Sequence, residues 1–414
     1  MNNRFLKIAT TIALFVSVTS CETKTEEQTK VVDRVFDRAE QQYTLLEEEA
    51  DNHDQIPRSI LNDGVTTKYL VGEYDWTQGF FPGSLWYLYE YTKDPKWEEL
   101  AKEYSKKVAH NQFHKGNHDV GFIINCSFGN GLRLDHTEEY KEVLINSAKS
   151  LSSRFHPEVG VILSWDVDKG WQSERGWEYP VIIDNMMNLE LLFKASDLSG
   201  DNTYRDIAIK HADKTMQHHY RPDFSSYHVV DYDSTNGEVR HRQTAQGYAD
   251  NSSWARGQAW GLYGYLTCYR FTKDQKYLDF AQKIANYMLT NKSMPKDMVP
   301  YWDYNDPRIP NAPRDASAGA VTASALYELA TYVPTEDAER YLENADKIVT
   351  TLSEPEFMAQ VGDNNFFLLK HSVGSIPHKN EIDKPLNYAD YYYLEALLRK
   401  REYEANDKLA FVID

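Results

Sequence analysis

Apolar and polar positions along the chain repeat as one two-part unit. An aromatic-rich, weakly polar run gives way to a short polar turn, then to an amphipathic run with apolar residues at i, i+3 and i+4. The unit recurs in "YLYEYTKDPKWEELAKEYSKKV", "LLFKASDLSGDNTYRDIAIKHADK", "YGYLTCYRFTKDQKYLDFAQKIANYM" and "ALYELATYVPTEDAERYLENADKIV". Its turn falls just before Trp97, Tyr204, Tyr277 and Tyr341, and a weaker copy, "LDHTEEYKEVLINSAKSL", has Tyr140 at the same place. Thr, Asp or Asn at these turns is the expected N-cap of the helix that follows.

Carried along the chain, the pattern predicts twelve helices, over 31–50, 76–92, 95–110, 119–134, 137–153, 181–199, 201–219, 254–272, 274–291, 315–331, 335–353 and 387–403. The less polar helices belong inside and the one-striped helices outside. Six such pairs closing on themselves make an all-α (α/α)6 barrel, a six-hairpin toroid in a single domain over 31–414. A linear helical solenoid is the alternative, but its repeats are usually more even in length. In a toroid the loops entering the inner helices gather at one end. Here they are the long ones, 51–75, 111–118, 154–180, 220–253, 292–314 and 354–386, and long connections are usually functional.

The N-terminus carries a different signal. Arg4 and Lys7 form a basic region, Ile8 to Val18 an apolar one, and Val18-Thr19-Ser20-Cys21 a small-residue cleavage site. The segment reads as an export signal over 1–20, too short to span a membrane. Cysteine after V-T-S resembles the bacterial lipobox, which implies lipidation of Cys21, membrane attachment through it, and a polar tether over 21–30. The expected location is the bacterial cell envelope, periplasmic or surface-facing. Of three cysteines, Cys126 and Cys268 remain, and they read as free and buried. A net charge of −18 argues against nucleic acid as a partner.

Acidic residues stand where the long loops meet the inner helices. Asp119 lies in "NHDVGFIIN", and Asp184 is set among apolar neighbours in "YPVIIDNMMNLELL". A lone buried aspartate is often a cap or a hydrogen-bonded structural acid. Two close carboxylates instead raise the pKa of one, as a general acid needs. The loop 220–253 offers His228 and Gln246, and "WARGQAW" adds Trp254, Arg256 and Trp260, with Trp76 in a similar place earlier. Arginine beside tryptophan suits a sugar acid, while an aromatic core held by cation–π contact reads equally from the same residues. No Ser/His/Asp arrangement, P-loop, dinucleotide fingerprint or HExxH helix occurs, so neither cofactor nor metal is expected. His114 and His118 are spaced i, i+4 but lack a third ligand.

Together "WTQGFFPGSLWYLYEYT", "HDVGF", "IIDNMMNLELL", "SSYHVVDYD", "QGYADNSSWARGQAWGLYGY", "PRDASAGAVTASALYEL" and "ADYYYLEALLR" resemble glycoside hydrolase family 88, the unsaturated glucuronyl hydrolases. The resemblance implies an (α/α)6 barrel, Asp184 as general acid and base, and Asp119 as its partner carboxylate, keeping Asp184 protonated. It also implies Trp76, His228, Gln246, Trp254 and Arg256 around the pocket; Trp260 joins them from the residue reading. The implied substrates are oligosaccharides left by polysaccharide lyases, ending in a 4,5-unsaturated uronic acid. Protonation at C4 and water attack at C5 would open the ring and expel the remaining sugar.

Parent polysaccharide and oligomeric state are not legible. The segment "KHSVGSIPHKNEID", with Lys370, His371, His378 and Lys379, either supplies cations to a sulfate or the next sugar, or is a solvated loop. Three competing readings carry distinct expectations. An unsaturated rhamnogalacturonyl hydrolase of the family 105 kind differs in the leaving sugar. A glycan-binding surface lipoprotein shows no turnover, and an inverting endo-acting hydrolase has an open cleft.

Overall fold

The computed structural model describes residues 8–70 and 74–409, with side chains from Val31 onward. The lipidation expected at Cys21, the signal and the tether all lie outside the residues whose side chains are described. Among the described residues no helix is long and apolar enough to cross a membrane.

Helix α1 (Ile8–His53) leads into a ring of hairpins. These are α2 (Phe80–Thr92) with α3 (Pro95–Val108), then α4 (Val120–Ile124) and α5 (Asn130–Asp135) with α6 (Glu138–Ser152). Next come α7 (Leu189–Ser199) with α8 (Asn202–His218), α9 (Ala255–Thr272) with α10 (Gln275–Thr290), and α11 (Ala316–Tyr332) with α12 (Thr335–Leu352). Helix α13 (Asn387–Asn406) packs on α11, α2 and α1 and so closes the ring. The fold is the (α/α)6 barrel.

Burial separates the two layers as the pattern requires. Every residue is buried over 255–268 of α9, 316–330 of α11 and 387–400 of α13, whereas α3, α10 and α12 bury one stripe each. Asp94, Asp201 and Asp274 cap α3, α8 and α10 by accepting from amides of the first turn. Cys126 and Cys268 are free and buried.

Two inner helices depart from the expected spans. The helix expected over 119–134 contains one π-turn, Asn125–Gly129, between α4 and α5. The span 181–199 is only helical at its end. Its start, β5 (Tyr179–Ile182), is a strand followed by a 3-10 turn, Ile183–Asn188. The β-branched run there pairs with another loop, a tertiary contact that outweighs helical periodicity.

The entry loops carry small antiparallel sheets. β1 (Pro57–Ile60) pairs with β2 (Thr67–Tyr69), and β3 (Phe155–His156) with β4 (Val161–Ile162). β5 pairs with β6 (Val229–Tyr232), β6 with β7 (Val239–Gln243), and β8 (Ser372–Ser375) with β9 (Asn380–Lys384). They wall the end of the toroid where the inner helices begin.

Candidate active site

Strand pairing sets the first half of the site. Ile182 pairs with Val229, and the Ile183 amide donates to the His228 carbonyl at 3.0 Å. Asp184 therefore emerges beside His228, with His228 Nε2 3.6 Å from Asp184 Oδ2. His228 Nδ1 accepts from the amides of Ala245 and Gln246 at 3.0 and 3.2 Å. Its ring hydrogen is thereby confined to Nε2, on the Asp184 side.

Asp119 comes from the start of α4. Gly121 behind it lies so close to Asn188 that a Cβ there would overlap that residue. Asn188 Oδ1 accepts from the Phe122 amide at 2.9 Å, which turns its Nδ2 toward His118 Nδ1 at 3.4 Å. His118 then carries its hydrogen on Nε2, 3.2 Å from Asp119 Oδ1 but out of line for a hydrogen bond. Burial lowers the His118 pKa to about 3, so the ring is neutral.

Burial also holds the Asp119 carboxyl well above the usual range, and the charges of Asp184 and Asp75 add to the effect.

The two aspartates line a cavity of about 260 Å³. Trp76, Trp165, Trp171 and Tyr388 supply aromatic walls, and Asn117, Gln172, Gln246, Ser375 and His378 supply polar groups. Asp184 Oδ2, His118 Nε2, His228 Nε2, Trp254 Nε1 and Tyr74 Oη are buried without a hydrogen-bond partner. Unpaired polar atoms are costly in a protein interior, and of these residues Asp184 lines the cavity, where a ligand's hydroxyl would pair with Oδ2.

Four of the expected residues, Asp119, Asp184, Trp76 and Gln246, meet in this cavity. His228 and Trp254 lie directly behind it, their rings 4.8 Å apart edge to face. Two more of the expected residues lie outside the cavity's lining. Trp260 is fully buried, edge-on to Phe122 at 5.2 Å and Tyr392 at 5.3 Å, because its inner-helix position points it into the barrel core. Arg256 is not presented to the cavity. Its guanidinium donates to Asp315 at 2.9 Å and to the carbonyls of Val373 and Gly374 at 2.5 and 2.7 Å, over the face of Trp254.

The segment 370–379 divides. Lys370 donates to the Pro355 carbonyl, His371 pairs with Asp383, Lys379 is exposed, and only His378 reaches the cavity. His114 stacks on Tyr74 with ring centroids 4.0 Å apart.

Several lining residues were not legible singly. Trp165, Trp171, Gln172 and Tyr388 line the cavity beyond the residues expected from the sequence. "SWDVDKGWQSERGW" did carry a signal, three tryptophans in a polar loop. They pack on one another, and Trp171 meets the His378 ring at 4.8 Å.

An (α/α)6 barrel with a carboxylate pair at the floor of an aromatic pocket defines a carbohydrate-active enzyme of the helical-toroid class. The chain belongs to Glycosyl Hydrolase Family 88, whose profile it matches over residues 54–403. It is 44% identical over 382 residues to an unsaturated glucuronyl hydrolase of Formosa agariphila, covering 92% of each chain. To an unsaturated glucuronyl hydrolase of a Bacillus sp. it is 35% identical, over 84% of this chain and 91% of that one. Among solved structures, an unsaturated glucuronyl hydrolase specific for heparin superposes with a TM-score of 0.85 at 44% identity, over 91% of this chain and 100% of that one. A Streptococcus agalactiae unsaturated glucuronyl hydrolase variant complexed with dGlcA-GalNAc6S gives 0.73 at 29% identity, over 89% and 91%.

Proposed function

We propose that the chain is an unsaturated glucuronyl hydrolase, acting on the 4,5-unsaturated uronic acid at the non-reducing end of lyase-made oligosaccharides. The observation that carries this reading is the buried Asp119–Asp184 pair in an aromatic-walled pocket, with Asp184 Oδ2 unpartnered. Aromatic walls suit a sugar ring, and the pocket's size suits one terminal residue.

The chemistry follows from the enol ether in that sugar. Asp119, its carboxyl pushed up by burial and by the charges of Asp184 and Asp75, stands beside Asp184 in the pocket. In its acid form Asp184, with Oδ2 unpartnered, gives its own carboxyl proton to C4, and positive charge develops at C5 and the ring oxygen. The carboxylate so formed, beside the Nε2–H of His228, takes a proton from water as its oxygen bonds to C5. The resulting hemiketal opens to a ketone at C5, and the former ring oxygen becomes a hydroxyl on C1. C1 is then a hemiacetal, which collapses to an aldehyde and expels the remaining sugar. One acid–base group suffices, because a carbon of the alkene rather than the glycosidic oxygen takes the proton.

The test follows the alkene's ultraviolet absorbance on a panel of unsaturated disaccharides, sulfated and unsulfated. Wild type should bleach at least one, and Asp184→Asn should lose about 10²-fold or more of the rate. A flat trace on every disaccharide, from folded protein, would sink the reading.

The site of action follows from the N-terminal sequence. The enzyme is exported and held at the cell envelope by lipid on Cys21, where lyase products arrive. Cys21→Ala should move it from the membrane fraction to the soluble one, and an unchanged distribution would exclude the anchor.

A further inference from the structure

Behind Asp184, away from the cavity, helix α8 turns a buried polar face toward the strands that carry the aspartate. His211 and Thr215, with His219 at the end of the helix, are spaced by four residues and are each 0% exposed. His211 Nδ1 accepts from the Ile162 amide at 3.0 Å, and the Ile162 carbonyl accepts from Asn185 Nδ2 at 3.0 Å. Both backbone groups of one β4 residue are thus held, one by α8 and one by the neighbour of Asp184. His219 Nε2 donates to the Val181 carbonyl at 3.0 Å, three residues before Asp184. The Ile182 amide donates to Ser164 Oγ at 3.0 Å, tying β5 to the chain just after β4.

These partners fix the tautomers. An amide N–H only donates, so His211 Nδ1 is a bare lone pair and its hydrogen is on Nε2. A carbonyl only accepts, so the His219 hydrogen is on Nε2 as well. Burial lowers both histidines, His219 to about 3, and both are neutral. A protonated His211 would set a donor against the Ile162 donor. Neither ring lines the cavity.

We propose that His211 and His219 are positioning residues for Asp184, gripping through Ile162 and Val181 the strand and turn that aim its carboxylate into the pocket. The inference rests on Asp184 being the general acid of the proposed function. Its physical basis is distance sensitivity: displacement of a reacting group by about 1 Å costs up to about 10²-fold in rate. Trp76, Trp171 and Tyr388, which would hold the sugar, stand on other elements, so the defect belongs mainly in kcat.

The test pairs removal with rescue. His211→Leu and His219→Leu remove the acceptor and the donor. His211→Asn places an amide oxygen near the Nδ1 position, and His219→Gln an amide nitrogen near the Nε2 position. The leucine variants should lose about 10-fold to 100-fold in kcat with KM within about twofold, and the amide variants should recover most of the loss. Wild-type kcat in the leucine variants, or amide variants as slow as the leucine ones, overturns the proposal. If the leucine variants do not fold, the amide variants decide it, since they should retain kcat.

A readout independent of turnover separates this inference from the functional one. Imidazole ¹⁵N spectra of wild type should show both rings neutral with hydrogen on Nε2. Exchange of the Ile162 amide should quicken in His211→Leu and not in His211→Asn. Other tautomers, or unchanged Ile162 exchange in His211→Leu, overturn the inference. A wild type inert on every disaccharide overturns the functional reading instead.

Discussion

Arg256 of α9 and Asp315 at the start of α11 form a buried ion pair. The side chains of Arg256 and Asp315 are 1% and 0% exposed, with N and O 2.9 Å apart, and two further donations reach Val373 and Gly374 in β8. Arg256→Met removes the cation and leaves Asp315 a buried charge, supported by the Ser317 hydroxyl and the first amides of α11. Breaking one side of a buried pair costs about 3–5 kcal/mol. For a chain of this size that is a fall of roughly 3–6 °C in thermal midpoint. β8 would also lose its tie to α9, and Ser375 and His378 line the cavity just beyond it, so KM should rise several-fold. Arg256→Lys keeps the charge but not the forked geometry and should fall between the two. Calorimetry with the ultraviolet assay decides the matter. If Arg256→Met melts within about 1 °C of wild type yet loses turnover, the guanidinium acts on substrate and the structural account is wrong.

Three further outcomes follow from the geometry. The raised pKa of Asp119 means the folded protein keeps a proton that the unfolded chain has lost, so this stabilisation is present in acid and fades as pH rises through the folded value. Relative to wild type, Asp119→Asn should gain about 1.4 kcal/mol per pH unit between the unfolded and folded values, and parallel stability curves would contradict this. Trp171→Ala removes a cavity wall and its contact with His378, so KM should rise about 3-fold to 10-fold with kcat nearly kept; an unchanged KM would place the ring outside the substrate's reach. Trp260→Ala should cost about 3–5 kcal/mol as a core truncation, whereas Trp260→Phe should retain KM; a specific rise in KM for Trp260→Phe would return that ring to the site.

Helix after helix was legible because an amphipathic stripe and a capping aspartate are local facts. Asp94, Asp201 and Asp274 cap where the turns predicted. The alternation of apolar and one-striped helices also fixed the layers, since each must bury what it cannot expose. Asp119 and Asp184 stood out because a carboxylate among apolar neighbours needs a reason.

Only the tertiary structure decided what pairing across the chain controls. The start of the span 181–199 is a strand because Val229 and Val230 lie beside it, which no helical period reveals. Arg256 and Trp260 read like Trp76, but the turn of α9 sends the first to Asp315 and the second into the core. The lift on the Asp119 carboxyl comes from burial and from the charges of Asp184 and Asp75, which distant segments bring to it. Sequence spacing sets which residues share a helix face. Which of those faces meets the pocket is set by contacts between residues far apart in the chain.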